Sequence, residues 1–543
     1  MMTTQKMSNS ADGRKSRILS NKWYLYLTEF FSGMAVMAAE LGASRLLAPY
    51  FSSSQIVWTI IIGTIMIAMA LGNLYGGRSA DQHPDPDRLY DRLLIAAVWI
   101  AAIPFLGKMV IAGVSALLVV TINTNFLIWA AFLSCMIVFV YPLFLLGTVT
   151  PSLVKYTVSS LDDSGKTVGA LGAANTIGSI IGTFVPTFIS IPAVGTAATF
   201  VIFSGILLLL GVVYFLAERR GTVKVIVSVL LFAGASAAAL SLGFAFWEKT
   251  LTLEDESVYN YLQVKEDDRR VILSTNVLFG VQSVYIRDGS LTGMYYDYAL
   301  AAPMMTPEPD SPKDLLILGM GTGTYATQCS RYFPQIRAEG VEIDEKITAL
   351  AREYFSLDAA VPVTTYDGRA YLAGTDKLYD VIMVDAYQDI TIPFQMSTQE
   401  FFSMVRAHLK ENGVMIVNMN MTSDAGDGIH AYLQDTICSV FGHVYTADVY
   451  GSSNRELFAS QNPEILNLLT ENTEACENEP LRKMLKDVQK QIVPCEAGGL
   501  ILTDDKAPVE LLGMKTIDSM ISDELSYYRR RFQEDGIAGI IGG

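Results

Sequence analysis

The chain has 543 residues, of which 51% are hydrophobic and 17% are charged, a mixture too apolar for a soluble protein and too charged for membrane helices alone. Its net charge of −16 is unevenly divided, because residues 1–247 carry +5 and residues 248–543 carry −21. The acidic second half argues against nucleic acid as a partner, since nucleic acids need a basic surface, and is compatible with a cationic small molecule.

The first half of the chain is predicted to be a membrane domain. Residues 1–22 are polar and basic, which predicts a disordered tail with no cleavable signal peptide. Seven apolar stretches follow within residues 23–247, each close to the roughly 20 residues that a helix needs to cross the hydrocarbon core. The spans are predicted near 24–48, 56–77, 92–119, 126–151, 168–190, 197–217 and 222–246. The protein is therefore expected in a cell membrane, as a multi-pass protein in contact with lipid.

Positive charges predict the orientation of these spans. Lys and Arg occur in the N-terminal tail and in alternate loops, near 78–92, 152–167 and 218–224. The intervening loops have neither, so the N-terminus is predicted to be cytoplasmic. Seven spans then put the second half of the chain outside, whereas use of a cofactor made in the cytosol would require it inside. The sequence leaves the side of the soluble domain open.

Polar and small residues inside the predicted spans point to a structured bundle interior. Four ionisable side chains lie at membrane depth, namely Glu29, Glu40, Arg45 and Lys108. Such groups are costly in lipid, and they indicate either a polar pathway or a structural Glu–Arg or Glu–Lys pair. Gly178 and Gly182 predict close packing of two helices, with a substrate channel as the alternative.

From residue 248 the pattern becomes that of a soluble protein. Alternating Val-, Ile- and Tyr-rich segments within 256–298 predict short antiparallel strands in a small domain, 248–310, which ends in a proline-rich linker. Residues 311–515 alternate between strands and helices, which predicts a parallel sheet covered by helices, a Rossmann-type α/β domain. Its strands are predicted at 314–318, 338–342, 361–366, 379–385 and 413–419, and its helices at 324–333, 344–355 and 398–410. Residues 516–543 are expected to form a C-terminal helix or tail.

Glycines and a glutamate predict a nucleoside site where the first two strands end. Gly319, Gly321 and Gly323 follow the first strand, and their backbone can approach a ligand closely and offer N–H groups. Glu342 ends the second strand, nineteen residues after Gly323, where a carboxylate can accept both hydroxyls of a ribose. The alternative is a glycine turn beside a surface glutamate.

The next two strands also end in acidic residues. Asp367, followed by Gly368, could accept from an adenine amino group or could cap the helix that follows. Asp385 ends the central strand, where it could hold a substrate ammonium and take its proton as the nitrogen attacks an electrophilic carbon. Tyr387 and Asp389 are candidate partners of Asp385 in the same loop.

Cysteines and histidines give little indication of further chemistry. The five cysteines have no CxxC spacing, so they are interpreted as free thiols, with one disulfide as the alternative. The four histidines are not clustered, which argues against a metal site.

These motifs, taken together, resemble the spermidine synthase family, and in particular its branch with a fused N-terminal membrane domain. The residues that carry the resemblance are GMGTGT from Gly319, VEID from Val341, YDG from Tyr366, VDAYQDITIPFQMSTQEFF from Val384 and LTDDKAPVE at 502–510. The likeness covers nearly all of residues 24–515. It also places Gln282 and the Tyr295-Tyr296-Asp297 stretch near expected ligand positions.

The resemblance implies a class I methyltransferase-like fold that binds decarboxylated S-adenosylmethionine and transfers its aminopropyl group to a polyamine. It assigns Glu342 to the ribose, Asp367 to the adenine and Asp385 to the role of base, with Gln282, Tyr387 and Asp389 near the substrate. A homodimer is a further expectation at the level of the family. No metal is implied.

Three departures from the family pattern bear on the substrates. Thr322 stands where the family usually has an Asp in its glycine loop. The loop of residues 385–389 reads Asp-Ala-Tyr-Gln-Asp in place of Asp-Ser-Ser-Asp, and Tyr-Tyr-Asp replaces Tyr-His-Glu. All three fall where the aminopropyl chain and the amine would lie, so the pattern supports an adenosyl-sulfonium ligand more strongly than a particular product.

Two other functions are compatible with the sequence. One is a methyltransferase, or a related transferase, that uses intact S-adenosylmethionine and acts on a lipid or a membrane-borne amine. The other is a polyamine transporter or sensor that binds its ligand without turnover, with the charges of the spans as the pathway. The choice between the two transferases depends on which sulfonium binds.

Overall fold

A computed structural model describes residues 21–51, 53–121, 125–157, 164–248, 250–277, 281–387, 392–420, 428–514, 516 and 530. The predicted disordered tail and C-terminal tail therefore lie almost entirely outside the described residues. The chain forms two compact units. The first comprises residues 1–46, 59–112 and 132–242, and the second comprises 47–58, 113–131 and 243–543.

The first half of the chain is built of long apolar helices. They are α1 (Lys22–Phe51), α2 (Gln55–Gln82), α3 (Pro86–Thr121), α4 (Phe126–Gly147), α5 (Val149–Thr157), α6 (Ser164–Val185), α7 (Ile191–Ala217) and α8 (Thr222–Ser241). A π-helical turn, Pro186–Ser190, joins α6 to α7. Each of the seven stretches that the sequence predicts to be apolar helices contains a helix, but the last one, 222–246, is helical only to Ser241.

Six continuous helical stretches among the described residues are long and apolar enough to cross a membrane. One of them, Ser164–Ala217, has 54 residues, which at about 1.5 Å per residue is more than twice the thickness of a hydrocarbon core. It is interrupted at Gly195, where the backbone leaves the helical region (φ 80°, ψ 171°). This stretch is therefore long enough for the two spans that the sequence predicts within it, and the count of seven spans stays a prediction.

Helix α6 packs closely on α1, as its glycines predict. A Cβ atom added at Gly178 would meet the carbonyl oxygen of Phe30, and one at Gly182 would meet that of Met34. The buried Glu29 of α1 lies in the same unit, and its Oε1 accepts from Thr150 Oγ1 at 2.5 Å and from Asn175 Nδ2 at 2.8 Å. Its hydrogen-bond partners among the described residues are thus neutral groups of α5 and α6. They are not the Arg or Lys of the structural pair that is one of the two alternatives from the sequence.

A small antiparallel sheet begins the second half of the chain. Its strands, in spatial order, are β1 (Leu251–Glu256), β2 (Tyr261–Glu266), β3 (Arg270–Ser274) and β4 (Ser283–Ile286). The prediction of strands is confirmed up to Ile286. It is wrong for Tyr295–Ala299, which form a short helix, α9, and the predicted linker contains a second one, α10 (Ala301–Met304). Both helices are buried on every side, so neither shows the alternation that separates helix from strand.

The Rossmann-type domain has an eight-stranded sheet in the order β12-β10-β11-β9-β8-β5-β6-β7. Its strands are β5 (Lys313–Leu318), β6 (Ile336–Glu342), β7 (Val363–Thr365), β8 (Tyr379–Val384), β9 (Leu409–Met419), β10 (His443–Asp448), β11 (Arg455–Ser460) and β12 (Ile492–Pro494). The five strands predicted from the sequence are β5 to β9, and they are parallel to one another. The last three strands are antiparallel.

Helices cover both faces of this sheet. They are α11 (Thr324–Tyr332), α12 (Glu345–Tyr354), α13 (Gly368–Ala373), α14 (Gln399–Ala407), α15 (Ile429–Cys438), α16 (Ile465–Ala475) and α17 (Glu479–Gln491). Two buried apolar clusters, one on each face, form the core. The order of strands reverses between β5 and β8, and such a switch point opens a crevice at the carboxyl ends of the strands.

Candidate active site

A cavity lies at this switch point and contains most of the residues predicted from the sequence. It is lined by the residues that follow β5, β6 and β8, together with residues of the small sheet and of α9. Three of the described lining residues are carboxylates, Glu342, Asp367 and Asp385, and none of the described lining residues is Lys, Arg or His. The site is thus suited to a cationic ligand.

The glycine loop forms one wall because its backbone adopts conformations that other residues avoid. Gly319, Gly321 and Gly323 all have positive φ, at 85°, 54° and 72°. A side chain at Gly319 would come within 2.5 Å of the Asp385 carbonyl oxygen, so only glycine lets the loop after β5 approach the loop after β8. The sequence predicts that the glycine backbone lies close to a ligand. In the structure the same backbone also lies close to the loop after β8.

Glu342 is held against the glycine loop. Its Oε2 accepts from the backbone N–H of Gly321 at 2.8 Å, and its Oε1 accepts from that of Asp344 at 3.1 Å. Burial raises the pKa of the Glu342 carboxyl, and the backbone donors partly offset that effect. The carboxyl lines the cavity, where the predicted ribose contact would require it.

Asp367 has the position that both of its predicted roles require. Its Oδ1 accepts from the backbone N–H of Ala370 at 2.8 Å, so the side chain caps α13. Asp367 and Gly368 also line the cavity. Capping therefore fixes the side chain at the cavity edge, and the adenine contact stays a prediction.

Asp385 is the most strongly perturbed carboxyl in the cavity. Its Oδ2 accepts from Tyr295 Oη at 2.6 Å and its Oδ1 accepts from Asn418 Nδ2 at 2.9 Å. Removal from water raises the pKa of Asp385 to about 7, while the two hydrogen bonds act in the opposite direction. A carboxyl with this pKa can accept a proton near neutral pH, as a general base must.

The sequence does not identify the two hydrogen-bond partners of Asp385. It places Tyr295 in a stretch near the ligand, but it does not predict the helix, α9, from which the Tyr295 hydroxyl donates to Asp385. Asn418 lies within a correctly predicted strand, β9, where the parallel pairing with β8 brings it beside Asp385. A polar residue near the end of a buried strand was the signal that could have identified it.

The predicted substrate residues have different outcomes. Gln282 lines the cavity, and its backbone carbonyl oxygen accepts from Tyr296 Oη at 3.0 Å. Tyr387 lines the cavity as well, but its hydroxyl donates to the Asn418 carbonyl and accepts from the Asn420 N–H, so it fixes the loop after β8. Asp389 lies outside the described residues.

Two residues at which the sequence departs from the family pattern, Thr322 and Asp297, have polar contacts within the protein. Thr322 lines the cavity, and its hydroxyl is 3.1 Å from that of Thr324. Asp297 accepts from Gly293 N at 2.7 Å and from Gln328 Nε2 at 2.7 Å, which anchors the start of α9. The Asp of the Tyr-Tyr-Asp stretch is therefore structural, and both of its tyrosines line the cavity.

Comparisons with known proteins identify proteins that this chain is similar to. Residues 294–445 match the spermine/spermidine synthase domain. A probable polyamine aminopropyl transferase of Bifidobacterium longum is 51% identical over 346 residues, covering 61% of this chain and 77% of that protein. A polyamine aminopropyltransferase of Vibrio vulnificus is 29% identical over 242 residues, covering 43% and 78%. The crystal structure of a probable spermidine synthase from Corynebacterium glutamicum has a TM-score of 0.36 and 19% identity, covering 46% of this chain and 96% of that one.

Proposed function

The chain belongs to the polyamine aminopropyltransferase family, whose members transfer aminopropyl groups, and on that premise we propose a specific reaction for it. The enzyme moves the aminopropyl group of decarboxylated S-adenosylmethionine to a nitrogen of a polyamine or another amine. It does so while anchored in a membrane by its apolar helices.

The observation that carries the proposed chemistry is the environment of Asp385. At neutral pH an amine substrate is an ammonium ion, which must lose a proton before its nitrogen can attack. A carboxylate with a pKa of about 7 can hold that ammonium and accept the proton. The nitrogen attacks the carbon next to the sulfonium, the C–N bond forms, and the C–S bond breaks. The electron pair of that bond neutralises the sulfur, which leaves as a thioether with the adenosine. The proton released from the nitrogen goes to Asp385.

The electrostatics of the cavity support a cationic donor. A sulfonium and the ammonium of an aminopropyl group are both positive, and the cavity offers the carboxylates of Glu342, Asp367 and Asp385 without a described cationic side chain. Intact S-adenosylmethionine has an additional carboxylate, which would lie in this acidic cavity without a described cationic partner. The charge of the site therefore favours the decarboxylated donor.

The membrane anchor is proposed from the length and apolarity of the helices. Seven crossings with a cytoplasmic N-terminus place the Rossmann-type domain on the opposite side of the membrane from that terminus. The odd number of crossings is proposed from the seven apolar stretches of the sequence and from the length of Ser164–Ala217, which suffices for two of them.

Donor binding and transfer by the purified full-length protein test the proposal. We expect calorimetry to show tighter binding of decarboxylated than of intact S-adenosylmethionine, and we expect donor consumption when an amine is added. Asp385→Asn should retain donor binding and lose about 10²–10⁴-fold in turnover, since it removes the base and leaves the shape of the site.

The other outcomes identify the alternatives. Preference for the intact sulfonium, with methyl transfer to a lipid amine, would replace the proposal by the methyltransferase. Binding of neither sulfonium would favour the transporter or sensor. Full activity in Asp385→Asn would refute the assignment of the base.

A further inference from the structure

Two of the five cysteines, Cys438 and Cys495, lie side by side in the Rossmann-type domain. Cys438 is the last residue of α15, and Cys495 directly follows β12. Each is half-buried and packs against the same apolar cluster, on one face of the eight-stranded sheet. Their thiols are hydrogen-bonded to each other. The proposed reaction uses neither of them.

Backbone contacts make this pairing a property of the fold. The N–H of Cys495 donates to the Val444 carbonyl at 2.9 Å, which continues the pairing of β12 with β10. Further along, the N–H of Leu500 donates to the carboxyl of Asp435 at 2.9 Å. Asp435 is on α15, one turn before Cys438. The segment after β12 is therefore held along the end of α15, which keeps the two sulfurs together.

The other three cysteines lie elsewhere. Cys329 and Cys476 belong to the apolar cluster on the opposite face of the sheet, and Cys135 lies in α4, in the other compact unit. None of these three has another cysteine as a hydrogen-bond partner among the described residues. Among the five cysteines, all of which the structure describes as free thiols, the contact between Cys438 and Cys495 is therefore the one place where two sulfurs meet.

The surroundings of this pair favour thiol–disulfide exchange. The hydrogen bond from Cys438 lowers the pKa of the Cys495 thiol. Thr446, whose Oγ1 is 3.9 Å from the Cys495 sulfur, and the positive charge of Arg455 act in the same direction, while burial opposes them. The hydrogen bond and burial both raise the pKa of Cys438. Cys495 is therefore the thiolate that attacks a disulfide, and Cys438 is the thiol that completes the exchange.

The segment that follows β12, residues 495–504, supports one wall of the cavity. Asp504, at its end, accepts from both terminal nitrogens of Arg369, at 2.7 and 2.6 Å. Arg369 directly follows Gly368, a lining residue, and also donates to the carbonyl of Gln395, another lining residue, at 3.0 Å. Whatever fixes this segment to α15 therefore also fixes part of the cavity wall.

We propose that Cys438 and Cys495 are a redox pair that closes to an intramolecular disulfide and fixes the segment 495–504 to α15. The oxidant is a small disulfide, such as oxidised glutathione. Cys495 attacks one of its sulfurs, which forms a mixed disulfide and releases one small thiol. Cys438 then loses its proton and attacks the Cys495 sulfur, which forms the protein disulfide and releases the second small thiol. The small disulfide thus receives two electrons from the cysteines, and their two protons go to the two released thiols.

The test measures whether the pair closes and what closure does. The purified full-length protein is reduced and then equilibrated with oxidised glutathione, the remaining thiols are blocked, and linked peptides are identified by mass spectrometry. We expect one linkage, between Cys438 and Cys495. The thermal midpoint should be roughly 5–10 °C higher in the oxidised than in the reduced protein, because the disulfide closes a long loop of the chain. Hydrogen exchange within 498–510 should be slower after oxidation.

Serine variants provide the controls. Cys438→Ser and Cys495→Ser should lose both the linkage and the dependence of the midpoint on oxidation, and their midpoints should equal that of the reduced wild type, which shows that they are folded. Cys476→Ser, which changes a half-buried thiol on the opposite face of the sheet, should keep both properties.

Three results would overturn the proposal. They are thiols of Cys438 and Cys495 that stay open to alkylation in oxidised glutathione, a linkage of either one to a different cysteine, and equal midpoints of the oxidised and reduced wild type. None of these measurements depends on aminopropyl transfer, so the inference is tested separately from the proposed function.

Discussion

At the scale of single residues, the chemistry of the site depends on how the protein sets the pKa of Asp385. Its position at the end of a central strand can be read from the sequence. Its pKa of about 7 is a result of burial opposed by two donors, Tyr295 and Asn418, which are 90 and 33 residues away in the chain. The availability of this base at a given pH is therefore decided by contacts between distant segments.

Tyr295→Phe tests this account through the pH profile. The Tyr295 hydroxyl stabilises the ionised carboxyl, so its removal raises the pKa of Asp385 above 7. The base form then appears only at higher pH, and the rising limb of kcat/KM against pH should move up by about one unit, since a hydrogen bond to a charged group contributes about 1.5 kcal/mol. At pH 7 the rate should fall, and at high pH it should recover.

Tyr298→Phe is the matched control. Tyr298 belongs to the same helix, α9, and is also buried, but its hydroxyl is 3.5 Å from the N–H of Tyr450, away from Asp385. This variant should leave the midpoint of the profile unchanged. An unshifted midpoint in Tyr295→Phe would instead show that the tyrosine does not control the base.

At the scale of secondary-structure elements, sequence patterns succeed where one periodicity dominates. Strands β5 to β9 are predicted to within a few residues. The clearest of them are β5, β8 and the second half of β9, because each is a buried and largely apolar run. Helix α9 was missed because all five of its residues are buried, so neither a helical nor a strand periodicity is visible. Its conformation is set by Asp297, which accepts the N–H of Gly293, and by the core that encloses it.

The packing of α6 on α1 gives a prediction at the same scale. Alanine at Gly178 would collide with the carbonyl of Phe30, which is backbone and cannot rotate away. Gly178→Ala should destabilise the helical unit by about 1–3 kcal/mol, the usual cost of overpacking, seen as a lower thermal midpoint in detergent.

Gly172 is a control on the same helix. A Cβ atom at Gly172 has no heavy atom within 4 Å. Gly172→Ala should therefore leave the midpoint unchanged or raise it slightly, because alanine favours helix. Similar loss in both variants would mean that α6 responds to any added side chain, and not to its contact with α1.

At the scale of the whole molecule, the proposed number of membrane crossings determines the side on which the active site is expected. Seven is odd, so we predict that the N-terminal tail and the Rossmann-type domain are on opposite sides. In a variant with its five cysteines replaced, a cysteine at the exposed Tyr450 should react with a membrane-impermeant maleimide in intact cells. A cysteine at Lys6 should react only after permeabilisation. Protection of both sites in intact cells would indicate an even number of crossings.

An outward-facing domain has a consequence for its substrates. Decarboxylated S-adenosylmethionine is cytosolic, so the donor would have to cross the membrane to reach the site. Transfer by intact cells supplied with external donor would fit that arrangement. The homodimer expected from the family stays a prediction.

The sequence by itself determined the apolar helices, the alternation of strands and helices, and the acidic residues where the parallel strands end. These features are local, since each depends on the spacing of residue types along a short segment. The tertiary structure decided the pKa of Asp385, the helical state of α9 and the two hydrogen-bond partners of Asp385, Tyr295 and Asn418. Each of these depends on pairing and burial between segments far apart in the chain, which no local pattern encodes.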